Sequence, residues 1–510
     1  MDDIVNNARR NILKGGASLA AMPFVSTLGF MAANNAKAAE ACTPERLSAM
    51  VQSPYGAVAP VADLTTGLPL LQLPAGFTYR SMGWRDDIMT DGRPCPSNHD
   101  GMAVVRSRRI GRSTELTLIR NHELGTATPS SIRLLDAPIY DHAGTGNLPS
   151  GGTTTIILRD GVLTEIRPSL GGTLTNCAGG VTPWETWLSC EENTTDRTSV
   201  GGKKHGYVFE VSPDPDETTA EPIVEMGRFR HEAVAVDPSN NFAYQTEDLS
   251  PTSMLYRFEP ENNAGGVNTY ADGGKLYAAR VSAIVASCSY SSVETVNQSG
   301  FSAPFLNDEY QLEWVELANP DAAPININVL GTVRNVSGPF AQGWSAGCAR
   351  MLRGEGIWYH AGKMYIVDTA AGSEGAVWEL NLATQRIKCI YVSQTQLAGN
   401  NVDNITVSPR GGILCCEDGG TSNDGALGNG LRLFGLTLQG LPYLFAKNNV
   451  NFTAAQYAAA GKNLGGGTGN QLGSEFAGAC FDPTGRIMFV NTYAPGMTYA
   501  ITGPWANGNL

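Results

Sequence analysis

The sequence predicts an all-β protein, a β-propeller of about six blades with loop and short-helix insertions. Three observations carry that expectation. The 510 residues include 59 Gly and 28 Pro but only 16% charged residues, which suits short strands joined by tight turns and excludes a helical bundle or coiled coil. One unit, apolar strand, turn, apolar strand, recurs along the chain. No amphipathic helical pattern separates the recurrences. Hydrophobic residues at 42% exclude disorder as the bulk state. With 35 Lys plus Arg against 48 Asp plus Glu, the formal net charge is −13. That balance argues against a nucleic-acid-binding surface and is compatible with several bound cations.

In chain order the first element is a targeting segment, residues 1–38. Arg9-Arg10-Asn11-Ile12-Leu13-Lys14 is followed by an uncharged stretch to Ala36, then Ala36-Lys37-Ala38. A charged start, an apolar middle and a small-residue cleavage site make an export signal. The paired arginines make it a signal of the twin-arginine type, with the twin-arginine translocon as partner and a periplasmic or secreted destination. Residues 39–510 then form a single propeller domain.

The repeating unit is a hairpin. Ala233 to Asp237, Pro238-Ser239-Asn240-Asn241 and Phe242 to Thr246 form one. Ile357 to Val367, Ile405 to Cys416 and Gly478 to Val490 contain others, each turning on Gly, Asn or Pro. Each hairpin starts and ends with a candidate ligand: Cys177 with Glu191, Glu232 with Glu247, Glu355 with Asp368, Asp403 with Glu417, Glu475 with Asn491, and Asp100 with Asn121 and Glu123. The start of one antiparallel strand and the end of the next share an edge. If the hairpins are the inner strands of successive blades, all these residues gather at one mouth of the central channel. Carboxylates so crowded cannot ionise together without cations. Their oxygens suit Ca²⁺ first, and the Cys177 thiolate adds a softer donor for a transition metal.

Other motifs carry less. Gly343-Trp344-Ser345-Ala346-Gly347 has nucleophile-elbow spacing but lacks the strand-then-helix setting that motif needs. The glycines from Gly465 to Gly469 are not followed by Gly-Lys-Ser/Thr, so they form a loop and no phosphate cradle. His122 and His231, each before a glutamate, are either partners of the ligands or ordinary hydrogen-bonded side chains, the latter favoured. The ten cysteines contain no CxxC pair, and most are expected as buried free thiols.

Asn176-Cys177-Ala178-Gly179-Gly180-Val181-Thr182-Pro183-Trp184, followed by Trp187-Leu188-Ser189-Cys190-Glu191-Glu192-Asn193, resembles the signature of the PhoX family of alkaline phosphatases. Arg120-Asn121-His122-Glu123, Arg230-His231-Glu232, Thr246-Glu247-Asp248 and Arg353-Gly354-Glu355 extend the likeness. So do Asn401-Val402-Asp403, Cys416-Glu417-Asp418, Ser474-Glu475 and the closing Ile501-Thr502-Gly503-Pro504-Trp505. Two places depart from the pattern. Glu185 stands where the family has a small residue, adding charge near the mouth, in a loop. The stretch from 265 to 342 matches poorly and is expected as an insertion that sets substrate preference.

The resemblance implies a phosphatase that hydrolyses phosphate monoesters at alkaline pH. It implies several Ca²⁺ and a pair of Fe³⁺ ions at the mouth, with a metal-bound oxide or hydroxide as nucleophile. Cys177 and Glu355 become iron ligands, with Glu247 or Glu232 as a further one and Glu247 favoured. Glu123, Glu191, Glu192, Glu417 and Glu475 become calcium ligands, with Asp248, Asp403 and Asp418 as further candidates. Arg353 contacts the substrate phosphate, and the catalytic set is Arg353, Glu355 and Cys177. The expected partners are small phosphate esters, with no nucleic acid, and the expected state is a monomer. Two other readings compete: a calcium-only propeller hydrolase acting on another ester or lactone, and a non-catalytic periplasmic binding propeller.

Overall fold

The computed structural model describes residues 45–419 and 428–510. Residues 1–38, expected to be a targeting segment, lie outside the described residues. Six blades surround a channel. Their innermost strands are His99–Ile110, Asn176–Val181, His231–Asp237, Gly354–His360, Val402–Val407 and Phe476–Phe481 for blades 1 to 6. Each inner strand packs against the inner strand of the next blade, and blade 6 packs back on blade 1, so the ring is closed. In every blade the second strand of the hairpin pairs antiparallel with the first.

Local chemistry sets the hairpins. Asp237 accepts the Ser239 N–H at 2.9 Å, and Asp482 accepts the Thr484 N–H at 3.0 Å. These are Asx-turns, which bend the chain without a backbone partner. At the inner strands, small residues let neighbouring backbones touch. A Cβ on Gly180 would lie 1.9 Å from the Val234 carbonyl oxygen of the next blade, so only glycine fits there. Outward from the channel, apolar faces stack between blades. Tyr55, Phe77, Phe445 and Trp505 form one edge-packed aromatic group between blades 5 and 6.

Two N-terminal segments finish the ring. Thr78–Met82 is the outer strand of blade 6, paired with Met497–Thr502. Leu71–Pro74 adds to Pro442–Asn448 at the edge of blade 5. The 265–342 stretch is less separate than a simple insertion. Gly274–Ala286 is the fourth strand of blade 3. Glu309–Glu316 pairs with it on one side and with Arg386–Val392 of blade 4 on the other, joining two blades into one nine-stranded sheet. Beyond the sheet stand the hairpin Ile325–Val329 with Thr332–Val336 and the helix Gly338–Ser345, capped by Ser337. Ser345 ends that helix, so the Gly343–Gly347 motif makes no elbow.

Eight described cysteines are free, seven of them buried, and Cys288 is disulfide-bonded. Among the described residues no helix is long and apolar enough to cross a membrane.

Candidate metal centre

One irregularity repeats around the ring. In every blade the pairing of the first two strands slips near the start of the inner strand, between His99 and Met102, Asn176 and Gly179, His231 and Val234, Gly354 and Ile357, Val402 and Ile405, and Ala477 and Cys480. A bulge of this kind re-aims a side chain. In blades 1 to 5 the bulged residues include Asp100, Cys177, Glu232, Glu355 and Asp403.

The second strands contribute through the residue that follows each of them. The N–H of Glu123, Glu192, Asp248, Thr369, Asp418 and Tyr493 bonds to the carbonyl of Asn98, Thr175, Arg230, Arg353, Asn401 and Glu475, respectively. This stitch holds the rim of each blade. Glu123, Glu192, Asp248 and Asp418 from these positions, and Glu475 from just before the inner strand of blade 6, lie beside the bulged acids.

The donor atoms form three overlapping groups, each with its members within 4.8 Å of one another: Cys177, Glu192 and Glu232; Glu232, Glu355 and Asp403; Asp403, Asp418 and Glu475. Burial, then the neighbouring acids, pushes Asp100, Glu232, Glu355 and Glu475 well above the usual carboxylate range. The same causes raise Asp403 well above that range and push Glu192 up to about 8. The Cys177 thiol is raised by burial and by Asp100 and Glu232. Glu232 Oε1 is buried with no hydrogen-bond partner. Carboxylates so crowded, Glu232 and Glu355 among them buried, beside one sulfur fit cations.

Two arginines sit over this cluster. Arg353 grips Asp248 with two nitrogens, Nε at 2.9 Å and Nη2 at 2.7 Å, and Nη2 lies 2.8 Å from Glu355. Its backbone N–H donates to Asp368. Arg230 Nη2 lies 2.6 Å from Glu192 Oε1. Arg230 and Arg353 occupy equivalent places, each one residue before the inner strand of its blade.

Several expected ligands lie elsewhere. Glu191 accepts from Leu174 N at 2.8 Å and Gly206 N at 2.8 Å, and pairs with His205 at 2.6 Å. Glu417 accepts from Asn400 N at 2.9 Å and pairs with Arg432 at 2.6 Å. Glu247 accepts from Ser337 Oγ at 2.6 Å and the Tyr256 hydroxyl at 2.7 Å, with its carboxyl pushed up to about 7 by burial. These carboxylates belong to none of the three donor groups. They clamp neighbouring chain, and it is Glu232 that stands beside Cys177, not Glu247. Asp368 clamps Leu352 N and Arg353 N in the same way. Asn121 and Asn491 donate across blade boundaries, to the Cys177 and Asp100 carbonyls, as spokes between blades.

The reason is strand alternation: successive side chains face opposite ways, so in Glu191-Glu192, Glu247-Asp248 and Glu417-Asp418 one acid clamps while the next faces the mouth. Glu185 is also away from the mouth. It sits in the turn at the far end of its hairpin with φ +67, a conformation that favours glycine, and pairs with Arg106 at 2.8 Å. His122 and His231 are hydrogen-bonded side chains, as expected. Arg230 is not among the expected site residues; its place before Glu232, matching that of Arg353 before Glu355, is the sequence signal for it.

Comparison with known proteins agrees with this geometry. The family described as Alkaline phosphatase PhoX matches residues 53–161 and 142–496. Pseudomonas fluorescens PhoX, solved in complex with vanadate, a transition state analogue, superposes with a TM-score of 0.58 at 17% identity. The match covers 91% of this chain and 99% of that one. A putative gluconolactonase gives 0.32 at 10% identity, over 79% of this chain and 92% of that one. Aldose sugar dehydrogenase from Streptomyces coelicolor gives 0.30 at 11%, over 74% and 99%. No curated protein matches. With the family matched over most of its length, the chain belongs to the PhoX alkaline phosphatases, metal-dependent enzymes that hydrolyse phosphate esters.

Proposed function

We propose that the mouth of the propeller is the phosphatase active site, holding iron beside Cys177 and calcium among the all-oxygen donors, and that it cleaves small phosphate monoesters at alkaline pH. The observation that carries this is the trio of donor groups sharing Glu232 and Asp403, overlooked by a guanidinium. Of these three sets, that of Cys177, Glu192 and Glu232 contains sulfur, which suits iron. Asp403, Asp418 and Glu475 supply oxygen alone, which suits calcium. When bound, these cations offset the acids, polarise the phosphoryl oxygens and activate the oxygen nucleophile.

The protein's own groups do the rest. A phosphate monoester carries about two negative charges, which bare carboxylates would repel. Arg353 presents a planar fork suited to two phosphoryl oxygens. Asp248 fixes that fork from one side, and Asp368 fixes the backbone it hangs from. Burial of the surrounding acids keeps bulk water from screening the developing charge.

Purified, metal-loaded protein is expected to release phosphate from p-nitrophenyl phosphate at alkaline pH, to lose that activity in excess EGTA and to regain it with calcium. Folded, metal-containing protein that hydrolyses no simple monoester would overturn the assignment. Visible absorption from a thiolate–iron pair, lost in Cys177→Ser, separates an iron-containing mouth from a calcium-only one. The paired arginines at 9 and 10 support export by the twin-arginine route to the periplasm or beyond, and Arg9→Lys with Arg10→Lys should hold the protein in the cytoplasmic fraction.

A further inference from the structure

Beside the mouth lies a cavity of ≈ 210 Å³, lined by Arg230 together with Thr194, Leu249, Pro324, Asn335, Val336 and the Ser337–Glu247 pair, whose carboxylate is held by the Ser337 and Tyr256 hydroxyls. Its outer wall is the hairpin Ile325–Val329 with Thr332–Val336, so this part of the 265–342 stretch faces the active site. Arg230 connects cavity and mouth. Its side chain is 41% exposed while Nη2 touches Glu192 of the sulfur-containing donor group. It also stands at the place in blade 3 that Arg353 holds in blade 4. Two guanidinium groups therefore flank one cluster, one on each of two adjoining blades.

We propose that Arg230 and this cavity form the leaving-group subsite, and that they favour compact monoesters whose alcohol carries a second anionic group, a carboxylate or another phosphate. This rests on Arg353 taking the phosphoryl group that is transferred. A neutral leaving group would have no use for a second arginine at the cavity wall, whereas a second anion pairs with it. The volume, below the roughly 300–1,000 Å³ of pockets that enclose drug-sized ligands, suits a compact leaving group. Apolar Leu249, Pro324 and Val336 pack a short carbon chain, and Thr194 and Asn335 offer hydrogen bonds to its hydroxyls.

The test compares kcat/KM for 3-phosphoglycerate and glycerol 3-phosphate, which differ by a carboxylate, on metal-loaded wild-type, Arg230→Gln and Arg230→Lys proteins. The wild type is expected to favour 3-phosphoglycerate by about tenfold, as a charge-assisted contact provides. That preference should vanish in Arg230→Gln, mainly through KM, and return in part in Arg230→Lys. Titration calorimetry with phosphonoacetate and ethylphosphonate reads the same preference without turnover. An equal fall for both esters, or equal affinity for both phosphonates in the wild type, would overturn the subsite and leave Arg230 as a positioning residue for Glu192. Failure to cleave either ester while still preferring phosphonoacetate would instead overturn the phosphatase assignment and keep the subsite.

Discussion

Glu355 and Glu417 are both buried carboxylates at the ends of inner hairpins, and their surroundings are opposite. Glu355 lies among other acids that outweigh its one arginine, Arg353, which it shares with Asp248, so its charge is opposed until a metal cation arrives. Glu417 faces Arg432, itself fully buried. Substitution by the amide should therefore act in opposite directions. Glu355→Gln is expected to raise the urea midpoint of EGTA-treated protein while lowering kcat by about 10²–10³-fold or more, the scale for losing a key electrostatic group. Glu417→Gln removes the charge facing Arg432 and should cost about 3–5 kcal/mol in the same melts. If both variants shift stability the same way, the division into mouth acids and clamping acids fails. The sequence showed that the hairpin ends carry acids. It did not show which member of Glu191-Glu192, Glu247-Asp248 or Glu417-Asp418 faces the mouth. That choice depends on where each strand ends and where its bulge falls, which no side chain announces.

Among the elements, the inner hairpins were legible because their turns use residues with a defined bending chemistry. The outer strands were not. Gly274–Ala286 belongs to blade 3, yet it is half-exposed along much of its length and its alternation is irregular. Its place is decided by pairing with Leu255–Pro260 and Glu309–Glu316, contacts that a local pattern does not encode. The bulged inner strands depend equally on their neighbours. Gly180→Ala would push a Cβ into the Val234 carbonyl, and the strand carrying Cys177 would have to move. A loss of about 1–3 kcal/mol is expected, the range for overpacking, together with weaker metal retention on dialysis. Retention equal to wild type despite the lost stability would show that the cluster tolerates a shift of that strand.

The whole molecule joins stability to cation binding through protons. Mouth acids whose folded carboxyls are raised bind more protons in the native state than in the unfolded one. For Glu192 the window runs from its ordinary value of 4.5 up to about 8. Across that window stability must fall as pH rises, because the unfolded chain gives up its proton first and gains from doing so. EGTA-treated protein should therefore melt progressively lower from pH 5 to pH 8. Saturating calcium should flatten or reverse that slope, and its binding should release protons into a weakly buffered solution. A melting temperature of the stripped protein that rises over the same range would contradict a mouth crowded with protonated acids.

The closure of the ring also has a consequence for synthesis. The mouth draws residues from Asn98 in blade 1 to Tyr493 in blade 6, and blade 6 is completed only when Thr78–Met82 meets Met497–Thr502. A ribosome has to deliver nearly the entire chain before that pairing can form, so the last hairpin arrives to find five blades waiting. A chain truncated before Phe476 lacks the closing blade and the carboxylate at 475 or its anchorage, so of the three donor groups it is the one of Asp403, Asp418 and Glu475 that waits for the last hairpin.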